Sequence, residues 1–339
     1  MSCGGVQYTA SVSSEIDNNG RFIRQGNLFV TPFGDKEGEL KAEAGRYKLY
    51  WAKGCHWSNR ASIARELLGL ENAIDVAIVE HSSVNGGQSN AWKLPGTDDG
   101  PDEETGATYL YEFYENTIPN FAGRATVPSL VDLTTKTVAN NDYHRLTNYF
   151  EVNFKEFQKE DAPDLYPEDI RDEIDKLNEW LFPNINNGTY RMMFAKSIEA
   201  YEEAEKDFFD GLDYLEERLD GQRFLFGDYV TDSDIRLYVT LVRFEACYYR
   251  FLGPLKRGLR SYKNLWDYTR DLYEIPAFRN NTYLADLTRD YGGAPESTGA
   301  FIPYNDRFWN EIDYEKKWTE PQNRRKLSKD PGHKLLVKH

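Results

Sequence analysis

Cysteine is scarce in this sequence: the 339 residues contain three, namely Cys3, Cys55 and Cys247. Three cysteines do not form a disulfide framework, and a chain of this length can bury a sufficient core without one. Long apolar runs are missing too, since no stretch approaches the roughly 20 residues of a membrane span. The first 20 residues are polar and lack the apolar core of a signal peptide. We therefore expect a cytoplasmic protein without a membrane span.

Positive charge is also in short supply, with 41 Lys and Arg against 56 Asp and Glu and a net charge of −15. Such a surface repels nucleic-acid phosphates and anionic lipid headgroups, so we expect neither nucleic acid nor membrane as a partner. The sequence has no spacing of metal ligands, so we expect no metal. It also has no Gly-rich phosphate loop and no serine-nucleophile elbow. Its 40% hydrophobic and 14% aromatic content excludes a disordered chain.

The first half of the chain has the pattern of an α/β domain. Residues 1–45 are rich in Gly, Ser, Asn and Glu and predict an irregular N-terminal arm. Residues 46–155 form the domain, where strand patterns at 46–51 and 74–79 flank a helix that follows Cys55, about the size of a βαβ unit. Residues 81–123 lack periodicity and predict a long insertion. Strands at 127–131 and 137–139 and a helix from Asp142 complete it.

The second half predicts an all-helical domain over residues 165–310. An amphipathic stripe recurs every three or four positions, at Tyr201, Ala204, Phe208, Leu212, Leu215 and Leu219. Residues 231–234 resemble a capping box, and the helix over 235–252 that follows is apolar on most faces, as expected at the centre of a bundle. The tail, residues 311–339, holds eight Lys or Arg against three acids from Glu315 onward. We expect this basic tail to be solvated rather than docked.

Cys55 is the residue that the pattern marks for chemistry. It lies directly after a strand and at the start of a helix, where unpaired N–H groups and the helix dipole stabilise a thiolate. A thioredoxin-type dithiol needs a second cysteine three residues on, and here that position is Ser58. An external small thiol is the simplest group to resolve a mixed disulfide on Cys55, although Cys3 or Cys247 would serve if the fold brought them near. The alternative is a structural cysteine at a helix start.

Two further positions predict a ligand site. An X-Pro bond in cis at Val127-Pro128 would turn the Val127 backbone toward a ligand, whereas a trans proline at an ordinary strand start is the alternative. Asp142 is predicted at a helix N-terminus, where a carboxylate caps the helix or meets the amino group of a peptide ligand. Capping alone is the commoner role of such an aspartate.

Residues from about 28 to 310 resemble the Xi class of glutathione transferases, the glutathionyl-hydroquinone reductases. The spacings of the matching strings agree over most of the chain, and the chain is identified as a divergent member of that family. The strings are residues 44–50, Gly54-Cys55-His56-Trp57, residues 123–128, Asn140-Asn141-Asp142, residues 185–190, Phe226-Gly227-Asp228, Asp234-Ile235-Arg236-Leu237, Leu241-Val242-Arg243-Phe244 and Asn264-Leu265-Trp266.

The resemblance implies a thioredoxin-like N-terminal domain, an all-helical C-terminal domain, a homodimer and glutathione as co-substrate. It implies that Cys55 attacks the sulfur of a quinone-type conjugate, releases the hydroquinone and is freed from a cysteine–glutathione disulfide by a second glutathione. Tyr190 and Tyr291 are the implied phenols at the hydroquinone. The implied glutathione contacts are Trp92, Arg124, Val127, Pro128, Asp142 and Tyr143.

The sequence departs from the family pattern at two places that bear on the thiol. Cys55-His56-Trp57-Ser58 replaces Cys-Pro-Trp-Ala, and Asp142-Tyr143 replaces a Glu-Ser pair. Three functions therefore stay open. They are the glutathionyl-hydroquinone reductase, a thiol transferase or mixed-disulfide reductase of the same fold that uses another low-molecular-weight thiol, and a non-catalytic binding module.

Overall fold

The computed structural model describes residues 15–82, 92–248, 252, 256–289 and 313–337. The chain divides into two units, Met1–Glu160 and Asp161–His339. None of the helices in these described ranges has the length and apolar character needed to cross a membrane.

In its described residues, the first unit is built on a mixed β-sheet that packs with α-helices. Its strands and helices are β1 Tyr47–Trp51, α1 His56–Leu68, β2 Ile74–Ile78, β3 Glu80–His81, β4 Trp92–Lys93, α2 Tyr111–Thr117, β5 Ser129–Asp132, β6 Thr137–Asn140 and α3 Leu146–Val152, with a 3₁₀ turn at Lys155–Phe157. Within the described residues the main sheet has the order β2-β1-β5-β6. β1 pairs parallel with β2 and antiparallel with β5, and β5 pairs antiparallel with β6. β3 and β4 form a separate antiparallel pair.

Helix α1 is fixed at both ends by local sequence. Its side chains bury Ile63, Ala64, Leu67 and Leu68, as their spacing predicts. Gly69 ends the helix in the left-handed region at φ +68°, and its N–H reaches the carbonyls of the last turn. A Cβ at this position would also approach the Lys159 side chain to 2.7 Å, so a larger residue is excluded twice.

The prediction of a long insertion without regular structure over 81–123 is wrong for residues 92–123. Residues 83–91 lie outside the described ranges, but α2 follows, and its Phe113 and Tyr114 are fully buried in the core of the first unit. The N-terminal arm contributes to the same core through Phe29. A seven-residue helix with two buried positions is too short to show helical periodicity, so the sequence pattern missed it.

The second unit is helical in its described residues, as predicted. Its α-helices are α4 Arg171–Leu181, α5 Gly188–Phe194, α6 Ile198–Arg218, α7 Asp232–Arg243, α8 Lys263–Tyr273, α9 Pro276–Asn280, α10 Leu284–Arg289 and α11 Tyr314–Trp318. π-helical segments at Phe182–Asn186 and Phe244–Tyr248 follow α4 and α7, and 3₁₀ turns lie at Glu168–Ile170, Leu259–Ser261 and Arg324–Leu327.

Helix α7 is the buried centre of this unit. The predicted capping box is present, since Thr231 and Asp234 bond reciprocally at its start, and every residue of the helix is buried. The helix begins three residues earlier than predicted and changes to a π-helix at Phe244. In α6 the predicted stripe is buried except at Tyr201, which is half-buried while Ala200 beside it faces the core.

The expectation of a solvated basic tail is wrong for the described part of the tail. Trp318 and Arg324 are 1% and 3% exposed. The Arg324 guanidinium donates to the carbonyls of Leu219, Gln222 and Arg223. Carbonyl groups at and just after the end of a helix have no partner inside the helix. The buried Arg324 guanidinium therefore bonds these carbonyls instead of water.

Candidate active site

Cys55 is the N-cap residue of α1 and is partly exposed. Its Sγ accepts a hydrogen bond from the Ser58 backbone N–H at 3.5 Å and lies 3.4 Å from the Val127 carbonyl oxygen, to which the thiol donates. A thiolate would keep the Ser58 bond and the favourable end of a 13-residue helix dipole. Cys55 Sγ therefore lies between the first turn of α1 and the Val127 backbone.

The Val127-Pro128 peptide bond is cis. It lies next to a hydrogen-bond network centred on the Tyr114 hydroxyl, which is 2.9 Å from the Thr126 carbonyl and 2.6 Å from the Ser129 hydroxyl. The same hydroxyl accepts from the Thr126 N–H at 3.1 Å. Tyr114 thus fixes the loop that presents Val127 to Cys55. Sequence reasoning missed this residue because nothing in the α2 sequence distinguishes it among 23 tyrosines.

Asp142 is tied to this loop through its neighbour, because the Asn141 side chain donates to the Tyr114 hydroxyl at 3.3 Å. The Asp142 carboxylate accepts from the His144 N–H and from the Asn27 side chain, both at 3.0 Å. Both of these bonds end on Oδ1. The prediction that Asp142 caps the next helix is wrong, because α3 begins at Leu146 and its N-cap is Arg145, without a side-chain hydrogen bond at the cap.

Tyr143 packs against the start of α1. Its ring centroid lies 4.7 Å from that of Trp57, and the guanidinium groups of Arg24 and Arg60 lie 5.0 and 4.6 Å from the Trp57 ring. Burial raises the pKa of the Tyr143 phenol, against the lowering effect of the two arginines. The phenol is therefore neutral at physiological pH. Tyr143 thus adds a large ring to the cluster of Trp57, Arg24 and Arg60 at the start of α1.

Arg124 already has an acidic partner within the first unit. Its Nη1 lies 2.7 Å from Oε2 of Glu15, and the two side chains are 10% and 3% exposed. Trp92 lies on β4 opposite His81, and its side chain packs with Cys55 against the core of the first unit. The structure thus brings Cys55 into contact with Val127, links Asp142 to the Val127 loop through Asn141 and Tyr114, and places Tyr143 against Trp57 in the first turn of α1. It adds an unpredicted carboxylate, Glu15, at Arg124.

Tyr190 belongs to the second unit and Tyr291 lies outside the described residues. A π-helical segment, Phe182–Asn186, precedes Tyr190 and runs into α5. The Tyr190 ring lies 6.1 Å from that of Tyr248 at a steep angle, and the two phenols share a hydrogen bond. Burial raises the pKa of Tyr248 well above its usual value, so Tyr248 remains a protonated neighbour of Tyr190. Tyr248 is a second phenol that the sequence did not single out.

Comparison with known proteins shows to which class of proteins the chain is similar. Residues 198–271 match the family model of the glutathione S-transferase C-terminal domain. The glutathionyl-hydroquinone reductase PcpF of Sphingobium chlorophenolicum is 39% identical over 249 residues, 73% of this chain and 77% of that protein. The crystal structure of glutathione transferase Xi from Phanerochaete chrysosporium has a TM-score of 0.75 at 34% identity, over 84% of this chain and 92% of that one. The glutathione-bound structure of YqjG, a glutathione transferase homologue from Escherichia coli K-12, has a TM-score of 0.69 at 32% identity, over 84% and 90%.

The mixed sheet of the first unit and the helices of the second are thus those of the glutathione transferase fold, with a thioredoxin-like N-terminal part and an all-helical C-terminal part. Within that fold, the chain belongs to the Xi class, the family of the glutathionyl-hydroquinone reductases. The predictions of the fold, of the family and of an enzyme of this type are confirmed.

Proposed function

We propose that the chain removes glutathione from glutathionyl-hydroquinones by a covalent route through Cys55. The Cys55 thiolate attacks the sulfur of the conjugate, a sulfur–sulfur bond forms, and the carbon–sulfur bond breaks. The ring leaves with the electron pair and one proton as the hydroquinone. The thiolate of a second glutathione then attacks the glutathionyl sulfur, so that glutathione disulfide leaves and the Cys55 thiolate is restored. The proton lost by the second glutathione balances the one that the ring gains.

The observation that carries this proposal is the environment of Cys55 Sγ. Cys55 Sγ lies at a helix N-terminus and accepts the Ser58 N–H at 3.5 Å. Both features stabilise negative charge on sulfur, which a thiol needs as a nucleophile and as a leaving group. Ser58 stands where a resolving cysteine would be, and its side chain is fully buried. Cys247 is fully buried in the second unit and is not a candidate for the attack. Cys3, the third cysteine, lies outside the described residues, and the proposal takes an external thiol as the resolving group.

The binding half of the proposal uses the first unit. In this proposal the Val127 backbone, beside Cys55 Sγ, pairs with an extended peptide, and the Asp142 carboxylate meets the ammonium group of a γ-glutamyl thiol. Tyr190, and Tyr291 outside the described residues, are proposed to donate protons to the conjugate. A Tyr hydroxyl with a pKa of about 10 is protonated at neutral pH and suits this role. Neither a metal nor a bound cofactor takes part, and the homodimer remains a prediction.

One observation favours the second candidate, a reductase of the same mechanism that accepts another small thiol. The Asp142-Tyr143 pair that replaces Glu-Ser puts a half-buried ring, tilted against Trp57, where the family has a small hydroxyl. A tyrosine cannot take the place of serine in a small carboxylate pocket, so the preferred thiol is expected to differ in that region. The bond changes at Cys55 are the same in both candidates.

Turnover of a glutathionyl-hydroquinone tests the proposal. Wild-type protein with glutathione is expected to release one hydroquinone and one glutathione disulfide per cycle. Cys55→Ser is expected to lose turnover while it still binds glutathione, because a hydroxyl keeps the volume but cannot form the sulfur–sulfur bond. Cys247→Ser is the matched control and is expected to keep wild-type turnover. Wild-type turnover by Cys55→Ser would refute the covalent route.

A further inference from the structure

A groove on the helical unit lies between α4, α6 and the loop that follows α6. Its volume is about 390 Å³, within the range of pockets that hold small molecules. The α4 wall consists of Glu173, Lys176, Leu177 and Trp180, whose spacing places them on one face of the helix. The groove belongs to the second unit alone and shares no residue with the site around Cys55.

Aromatic rings form the apolar part of this groove. The ring centroids of Trp180 and Tyr214 are 4.9 Å apart at an interplanar angle of 65°, and Phe226 lines the groove from the loop. Gly211, one turn before Tyr214 on α6, leaves room for the Trp180 ring, because a Cβ there would lie 3.5 Å from that ring and 2.8 Å from Ile185. Trp180 therefore packs against two positions of α6, while Tyr214 remains 45% exposed and leaves apolar surface facing water.

Two basic side chains line the groove as well, and neither pairs with a carboxylate among the residues that the structure describes. Arg218 donates from Nε and Nη2 to the Leu225 carbonyl at 3.0 and 2.7 Å, and from Nη1 to the Tyr214 hydroxyl at 3.2 Å. Its guanidinium carbon lies 5.1 Å from the centroid of the Phe226 ring. These contacts hold the Arg218 charge in place without neutralising it. Lys176 is exposed on the opposite wall.

The charge of the lining selects the kind of ligand. Two basic side chains and one carboxylate, that of Glu173, leave the groove with a net charge of +1 on a chain that carries −15. The two cations repel a cationic ligand, which aromatic rings by themselves could bind. They attract an anion, and Arg218 can donate to a carboxylate through its planar fork. Glu173 disfavours a second negative charge, so a monoanion fits better than a dianion.

We propose that this groove is a second small-molecule site, which binds a planar aromatic carboxylate with one negative charge. The ligand ring lies against Trp180, Tyr214 and Phe226, and its carboxylate meets the guanidinium of Arg218 and the ammonium of Lys176. A groove of about 390 Å³ has room for one or two fused aromatic rings. The inference does not depend on the proposed function, because no step at Cys55 involves the groove.

Titration calorimetry with 2-naphthoate and with its neutral isostere 2-naphthamide tests the charge preference. We expect one naphthoate per chain that saturating glutathione does not displace, bound about 5-fold or more tightly than the amide at low salt. The difference is expected to shrink as salt is added, because exposed charges are screened. Equal affinities for the acid and the amide, or displacement of naphthoate by glutathione, would overturn the inference.

Variants of the lining separate a charge effect from a loss of structure. Lys176→Gln is expected to weaken naphthoate binding about 3-fold or more and to leave the amide unchanged, and Glu173→Gln is expected to tighten naphthoate binding about 2-fold. A damaged groove would not give these opposite signs. Lys206→Gln is the matched control, because Lys206 is an exposed lysine of α6 that pairs with Asp210 and does not line the groove. Unchanged naphthoate binding by Lys176→Gln, or equal weakening by Lys206→Gln, would overturn the inference.

Labelling of the unmodified chain locates the ligand. N-hydroxysuccinimidyl acetate acetylates lysines, and peptide mapping reports the rate at each one. Saturating 2-naphthoate is expected to slow acetylation of Lys176 about 3-fold or more while that of Lys206 stays nearly constant, since an ion pair covers only the first amine. Equal protection of the two lysines would overturn the inference.

Two further measurements separate this inference from its alternatives. Naphthoate affinity is expected to be the same at low and high protein concentration, and affinity that falls as the concentration rises would show that a second copy of the chain covers the groove, which would overturn the inference. Lys176→Gln is expected to turn over a glutathionyl-hydroquinone as wild type does. Absence of turnover in wild type, with naphthoate binding as described, would refute the proposed function and support the groove.

Discussion

The Tyr114 hydroxyl is the part of the site whose loss can be calculated from its contacts. Tyr114→Phe removes one oxygen from the buried network that holds the loop before Pro128. Ser129 Oγ keeps its bond to the Thr126 carbonyl at 2.8 Å, and the Asn141 amide keeps a contact to Thr126 Oγ1 at 3.4 Å. The Thr126 N–H loses the acceptor that it has at 3.1 Å. One backbone donor is therefore left without its partner.

A buried donor without a partner costs about 1–3 kcal/mol. For a unit of this size, each kcal/mol lowers Tm by roughly 2–4 °C. If half of that cost appears as displacement of the Val127 carbonyl, glutathione binding weakens by about 2- to 12-fold, since 1.4 kcal/mol corresponds to a factor of ten. We therefore expect a lower Tm and a higher KM for glutathione, with a smaller effect on kcat.

The assay compares Tyr114→Phe with Tyr111→Phe in thermal unfolding and in steady-state turnover. Tyr111 lies on the same helix but is only half-buried, and its phenol is near Glu115. Its loss is expected to change Tm and KM by little, because a surface hydrogen bond is replaced by water. Equal Tm and equal KM in the two variants would refute the role assigned to Tyr114.

Three further predictions concern other groups. Tyr190→Phe should lower turnover about ten-fold or more, because one positioned proton donor contributes on the order of 10²-fold, and unchanged kinetics would contradict its role. Cys55 should be alkylated by iodoacetamide much faster than the fully buried Cys247, and equal rates in peptide mapping would contradict the site. Burial would raise the pKa of Asp271, but its hydrogen bonds to Arg223 and Lys334 hold it below the usual range, so its stabilisation is present above about pH 4 and is lost as the pH falls further. In urea unfolding, the free energy of unfolding of wild type should fall as the pH drops below about 4, and that of Asp271→Asn should fall less. The variant should already be about 3–5 kcal/mol less stable at neutral pH. The same pH dependence in both proteins would contradict the role of Asp271.

The features that the sequence predicted correctly are set by neighbouring residues. Cys55 at a helix start and the Thr231–Asp234 capping box each depend on a few consecutive positions and their backbone geometry. Strands β1, β2, β5 and β6 were predicted within two residues at each end for the same reason. Local chemistry is readable in a single sequence because its partners lie within one turn or one strand.

The features that the sequence missed depend on contacts between distant segments. The Glu15–Arg124 pair spans 109 residues, and the Tyr114 network joins α2 to the loop before β5. The basic tail was predicted to be solvated because charge counting cannot show that Arg324 meets three carbonyls of the helical unit. Long-range pairing of this kind leaves no periodicity in the sequence.

The most direct test of the central claim is the intact mass of the protein after one equivalent of a glutathionyl-hydroquinone is added without free glutathione. For the covalent mechanism at Cys55, we expect release of hydroquinone together with a mass increase of one glutathionyl group. The added mass should map to the peptide that contains Cys55 and should be removed when glutathione is added. Cys55→Ser should show neither event. Hydroquinone release from wild-type protein without a mass increase, or an adduct mapped to another residue, would contradict the covalent mechanism at Cys55.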